Sequence, residues 1–285
     1  MKMYGASPSA LKTYNLCQFK YRLTYEMNLP EIKRDSFATL QGKCVHSVLE
    51  RYAKGEQNWR GALRDLFIKD APWRLASDKK LSNPDCANCL LYDSDIMVCN
   101  ALKQQVTEIQ RCPTDIYKNC IEMIQNGITR SDRPFGGKLI NTEFPFKVDL
   151  GSYVLSGRID LVTEVDKDTV KIRDWKTGRP EKSDDVRNDL QAKIYDLAGT
   201  LLWPQYKKRL VVFDYLESKE PITIEFKSEE TSDTISYVED KVNEIRSNKN
   251  PDRSVGYWCK YMCVGKDRCD QLWAASLLKR NATNV

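Results

Sequence analysis

The chain has 285 residues, 41% hydrophobic and 30% charged, which excludes a disordered polypeptide. It contains no apolar run of the roughly 18 residues that a membrane-spanning helix needs. A net charge of +5 permits nucleic acid as a partner without demanding it, and a single histidine, His46, excludes a zinc site built on several histidines.

In chain order, the first third reads as helical. Ser7 and Pro8 suit a helix cap and first turn, and Leu11, Tyr14, Phe19, Tyr21 and Leu23 recur at roughly helical spacing over 7–28. Further helices are predicted over 37–53 and 58–68. The stretch LSNPDCANCLLYDSD is turn-rich, and helices are predicted to resume over 95–109 and 114–126. The character changes near Lys138. Strands are expected over 138–149, 152–164 and 169–176, then a helix over 184–202 that ends before Pro204. Strands over 208–216 and 221–227 flank a Glu217–Pro221 turn, a helix follows over 229–247, and a cysteine-bearing tail ends in a short helix near 270–280. Three strands, a helix and two further strands predict a compact α/β core within helical decoration.

The strands SGRIDLVTEV and TVKIRDWKTG carry Asp160, Asp174 and Lys176. Strand alternation places Asp174 and Lys176 on one face. Asp166, Lys167, Asp168 and Thr169 read as a hairpin turn that folds Asp160 back towards Asp174. Two carboxylates at one place repel, and a divalent cation relieves the repulsion. The adjacent lysine can hold a water nucleophile or stabilise developing charge, so the set suits metal-assisted phosphodiester hydrolysis. Gln191 and Tyr195 are four residues apart and share a helix face, where they orient a phosphate or a base, or form an ordinary polar seam. His46, on a largely apolar helix, reads either as a core residue or as an imidazole ligand beside carboxylates.

The N-terminus MKMYGASPSA lacks the apolar core of a secretion signal, so a cytoplasmic location is the expectation and the ten cysteines should be reduced. Cys259, Cys263 and Cys269 form C-x3-C-x5-C in the tail, a spacing suited to an iron–sulfur cluster or to zinc, with Cys17 as a candidate fourth ligand. Cys86 and Cys89, with Cys99 and Cys112 downstream, are candidates for a second small metal site.

Taken together, GKCVHSVLE, GRIDLV, DWKTG, QAKIY, the opening SPSALKTYNLCQFKYR and the tail cysteines resemble the RecB-like branch of the PD-(D/E)XK nuclease superfamily, over nearly the whole chain from Ser7 to Cys269. The resemblance extends to iron–sulfur members such as AddB-type and CRISPR-adaptation exonucleases, some of them phage-encoded. It implies a restriction-endonuclease-like mixed sheet flanked by helices. One nuclease domain would span 1–285, with a helical part over 1–130, a catalytic core over 131–250 and a cysteine-rich tail over 251–285. It implies that His46, Asp160, Asp174 and the Trp175 backbone carbonyl bind Mg2+ or Mn2+. Lys176 would position or activate water, Gln191 and Tyr195 would contact DNA or support the site, and Glu143 would be an accessory carboxylate. Cys17, Cys259, Cys263 and Cys269 would hold a structural [4Fe–4S] cluster. The family commonly spaces its tail cysteines C-x2-C-x5-C; the longer first gap here keeps zinc as an alternative.

The function so implied is metal-dependent exonuclease action on single-stranded DNA or DNA ends. The alternative is a non-catalytic DNA-binding or scaffold subunit of a recombination, repair or CRISPR-adaptation complex. No G-x-x-x-x-G-K-[ST] phosphate loop is present. The protein is therefore expected to act alone or beside a helicase or other replication or recombination partner, in the cytoplasm of its cell or of a phage host, with no membrane partner.

Overall fold

The computed structural model describes residues 4–29, 37–70, 92–93, 98–99, 104–105, 114–129, 135–218, 221–256, 259, 263 and 269–275. Its centre is a six-stranded mixed sheet. β5 (Lys138–Asp149), β6 (Tyr153–Asp166) and β7 (Thr169–Lys176) form an antiparallel meander. β8 (Lys208–Tyr215) then pairs parallel with β7, and β9 (Ile222–Ile224) pairs antiparallel with β8. β1 (Tyr4–Ala6), which the periodicity did not reveal, pairs parallel with residues 153–155 of β6.

Pairing along β6 decides where the site lies. β5 occupies one edge along most of β6. The opposite edge is shared, by β1 at 153–155 and by β7 from Leu161 onward. Among the described residues, 156–160 therefore carry no strand partner on that edge. β7 stays in register with β8 through Lys176, opposite Tyr215, after it has left β6. The two strands open a notch at Asp160 and Asp174.

Helices cover both faces of the sheet. On one side, α1 (Pro8–Leu16), α7 (Leu190–Leu202) and α8 (Ser228–Ser247) pack Leu11, Ile194, Leu197, Val238 and Val242 against Ile159, Val162, Ile172 and Val211. On the other, α3 (Phe37–Ala53), α4 (Trp59–Asp70) and α5 (Thr114–Thr129) pack Val45, Val48, Leu63 and Ile124 around Leu161, Trp175 and Leu216. Both packed faces follow from helices with one apolar stripe laid on a sheet buried on both sides.

Two predicted helices are interrupted, each at a residue that serves as a cap. Cys17, with φ −163° and ψ 109°, ends α1 and starts α2 (Gln18–Tyr21), which runs into a π-helical turn, Arg22–Glu26. Its Sγ accepts the Lys20 amide at 3.3 Å. Asp189 ends α6 (Ser183–Asn188) and caps α7, its Oδ1 accepting the Gln191 amide at 2.6 Å. The predicted strand over 221–227 shortens to Ile222–Ile224. The helix expected over 95–109 is corrected: β3 (Val98–Cys99) and β4 (Gln104–Gln105) join β2 (Tyr92–Asp93) in a small antiparallel sheet. Cys86, Cys89 and Cys112 and the Cys99 side chain lie outside the described residues.

Gly157 is required by packing. A Cβ built there would sit 2.7 Å from the Phe146 ring on β5. Gly157→Ala should destabilise the fold by about 1–3 kcal/mol. In a chemical-denaturation cycle, Phe146→Leu should recover part of that loss; strictly additive losses would show that the ring is not what the glycine accommodates.

Candidate active site

The notch gathers side chains from five elements, α3, β5, β6, β7 and α7. Where the β6–β7 ladder stops, at Leu161 opposite Arg173, Asp160 Oδ2 accepts the Trp175 amide at 2.7 Å, replacing the missing backbone acceptor. Asp174 projects to the α7 side. Its Oδ2 lies 2.7 Å from Lys176 Nζ, which bears out the alternation reading. Its Oδ1 accepts Gln191 Nε2 at 2.8 Å.

The Gln191 amide bridges the pair, since its Oε1 also accepts Lys176 Nζ at 2.9 Å. The Tyr195 hydroxyl accepts Gln191 Nε2 at 2.8 Å and has one proton to give, to the Arg158 carbonyl at 2.6 Å or to Asp174 Oδ1 at 3.0 Å. Gln191 and Tyr195 thus form a polar network closed around Asp174. Lys176 Nζ also sits 4.6 Å from the centroid of the Phe213 ring, a contact that favours an ammonium.

His46 reaches the same notch from α3. Its Nδ1 is 3.4 Å from Asp160 Oδ2, and its ring meets Trp175 edge-on at 5.9 Å. Glu143 completes the group: ligand atoms of His46, Glu143 and Asp160 all lie within 4.8 Å of one another. The registers Thr142–Leu161 and Phe144–Ile159 place Glu143 directly across from Asp160. Like charges so opposed are destabilising. Glu143 also holds φ +46°, an unfavourable conformation for a residue with a Cβ, costing about 1–3 kcal/mol. The three open onto a cavity of about 480 Å³ that Lys43, Glu50 and Arg158 also line.

The electrostatics report crowded negative charge. Burial, then the neighbouring Asp160 carboxylate, pushes the Asp174 carboxyl above its ordinary value, against the pull of Lys176. Burial opposes the charged form of His46, yet the Asp160, Asp174 and Glu143 carboxylates together raise it. Burial and the Asp174 and Asp160 charges keep the Tyr195 phenol protonated. Such a set of hard oxygens and one imidazole fits Mg2+ or Mn2+, whose charge would relieve the repulsion. Asp174 stands outside the His46–Glu143–Asp160 group, its carboxylate already engaged by Lys176 and Gln191. Glu50, Lys43 and Arg158 were not singled out as site residues in the sequence, because a charged helix or strand face gives no local mark of which cavity it will line.

Cys17, Cys259, Cys263 and Cys269 do not line this cavity. Cys17 is buried with Phe19 and Leu23, and Cys269, Leu272 and Trp273 pack on them. Burial chiefly raises the Cys269 thiol, Arg253 lowers it, and Cys263 and Cys17 add to the rise, so these thiols feel one another. Arg253 also feels Cys259. Among the described residues, no three of the four sulfurs lie within 4.8 Å of one another. A tetrahedral zinc with bonds of about 2.3 Å would hold them about 3.8 Å apart.

The Asp160 carboxylate has two separable roles, as acceptor for the Trp175 amide and as negative charge. Asp160→Asn keeps an acceptor and Asp160→Ala does not. Metal-free Asp160→Ala should therefore be less stable than Asp160→Asn by about 1–3 kcal/mol. Equal denaturation midpoints would show that the bond does not hold the notch.

A family model for the PD-(D/E)XK nuclease superfamily matches residues 5–270. No curated protein matches. Nineteen chains of known structure do. One is the crystal structure of a "Putative exonuclease" from Eubacterium rectale, with TM-score 0.53 and 14% identity over 90% of this chain and 87% of that one. Another, the crystal structure of SSO0001, aligns with 45% of this chain and 59% of its own at 19% identity and TM-score 0.29. The match across nearly the whole chain, on a mixed sheet that opens at two aspartates and a lysine, shows that the protein belongs to the PD-(D/E)XK nuclease superfamily.

Proposed function

We propose that the protein is a metal-dependent DNA exonuclease acting on single strands or duplex ends, with a structural [4Fe–4S] cluster. The observation that carries the reading is the convergence of Asp160, Asp174, Lys176 and His46 where β6 and β7 part. The name of the Eubacterium rectale neighbour supports the exonuclease choice.

The divalent ion would be held by His46, Asp160 and Asp174, with the Trp175 carbonyl and, on the geometry above, Glu143. When bound, it supplies Lewis-acid stabilisation of the phosphate and a nucleophilic water at neutral pH. The remaining work falls to side chains. Lys176 places a positive charge beside the attacking water and the developing phosphorane. Gln191 fixes Lys176 against Asp174, and Tyr195 locks Gln191 from behind. End-labelled DNA should be degraded in Mn2+ and left intact in EDTA. Asp174→Ala and Lys176→Ala should each slow degradation by at least about a hundredfold. Variants that digest as fast as the parent would refute the assignment.

The second cofactor draws on Cys17, Cys259, Cys263 and Cys269. A [4Fe–4S] cluster takes one thiolate per iron and would use all four. Anaerobically purified protein should be brown and absorb near about 400 nm. Cys17→Ser and Cys263→Ser should bleach it and lower its melting temperature, whereas colourless, zinc-loaded protein would exclude the cluster.

A further inference from the structure

Glu143 has two claims on its carboxylate. Oε2 lies 3.3 Å from Arg158 Nη1, and the same carboxylate belongs to the group whose ligand atoms sit within 4.8 Å of one another at His46 and Asp160. Arg158 precedes Asp160 by two residues on β6, so both project from one face into the same cavity. The Arg158 side chain is 64% exposed, and an ion pair so open to water contributes little to stability. The pair therefore does not account for the unfavourable backbone at Glu143. A guanidinium beside a cation site, with its planar fork of donors, is suited to grip the non-bridging oxygens of a phosphate.

Building on the nuclease reading above, we propose that Arg158 is the phosphate-binding residue of this site, held by Glu143 until a divalent cation takes that carboxylate. Cation capture by His46, Glu143 and Asp160 would draw the negative charge off Arg158 and turn the guanidinium to the DNA backbone. Metal and DNA would then favour each other's binding to the same extent, as linkage requires. Lys43, on α3, lines the same cavity and adds positive charge there.

The test reads binding, not cleavage. Anisotropy of a short labelled single strand would be titrated in EDTA and in Ca2+, with the strand checked for integrity. Wild type should bind about tenfold more tightly in Ca2+. Glu143→Gln should strengthen binding in EDTA about three- to tenfold by releasing Arg158, and that gain should vanish in the Glu143→Gln/Arg158→Gln double variant. Arg158→Gln alone should lose most of the Ca2+ gain and lower the salt slope by about 0.7, one single-strand phosphate contact. Because Arg158 is exposed, the variant should melt with wild type. An equal Glu143→Gln gain in both backgrounds would overturn the proposal, as would an unchanged Ca2+ gain in Arg158→Gln. Failure of wild type to cut DNA in Mn2+ would instead strike the nuclease reading, and the binding cycle would still decide the Arg158 exchange.

Discussion

The architecture of the site depends on one hydrogen bond, from the Trp175 amide to Asp160 Oδ2. β7 must remain bonded to β8 through Lys176 while parting from β6 at Arg173. Parting leaves backbone groups on both strands without sheet partners, and buried orphans of that kind are costly. The Asp160 carboxylate answers the one on β7. The Tyr195 hydroxyl, donating to the Arg158 carbonyl, answers one on β6. Side chains with the right chemistry for a cation site are thus also the plugs that let the sheet open. The two functions cannot be separated by moving the residues, only by changing their atoms.

Charge is distributed unevenly across the notch. Both oxygens of Asp174 are occupied, by Lys176 on one side and by Gln191 on the other. Asp160, Glu143 and His46 instead open onto the cavity. A cation also bound by Asp174 would have to compete with Lys176 for Oδ2. Displacement of that ammonium would leave it held by Gln191 Oε1 and the Phe213 ring, both still within reach. Gln191 and Phe213 therefore keep Lys176 in place in either arrangement, as the proposed water-positioning role requires.

Most of the core was legible because strand alternation and hairpin chemistry are local. β5 and β7 follow their predicted limits, and the Asp160–Asp174 juxtaposition follows from the turn between them. β1 was missed because three residues carry no period, and it forms only by pairing with residues distant in sequence. The breaks at Cys17 and Asp189 were missed for the opposite reason. The apolar rhythm runs across them, and only the capping role of the side chain marks the interruption. The stretch 95–109 has helical composition, yet β3 and β4 pair there, with local sheet contacts overriding propensity. Glu143 is marked in the sequence only by the family resemblance, as an accessory carboxylate; its positive φ and its position opposite Asp160 exist only in the folded sheet.

The cysteine-bearing ends pose a different question, because much of their contact needs no metal. Gln18 Oε1 accepts the Asp252 amide at 2.9 Å and Asn248 Nδ2 at 2.8 Å, and the Phe19 amide donates to the Asp252 carbonyl at 2.9 Å. These bonds fix the chain up to Asp252 against α2, and Asn248 Nδ2 also donates to the Tyr14 hydroxyl on α1 at 2.9 Å. Beyond Asp252, the described contacts include the Arg253–Asp270 ion pair and the packing of Cys269, Leu272 and Trp273 on Cys17, Phe19 and Leu23. Burial and neighbouring sulfurs hold the Cys269 thiol above its ordinary range, so a free thiolate there is disfavoured. A bound metal centre would reverse that preference by supplying the positive charge the thiolates lack. Its stabilisation would therefore fall on the segment after Asp252 and leave the sheet and its notch as they stand.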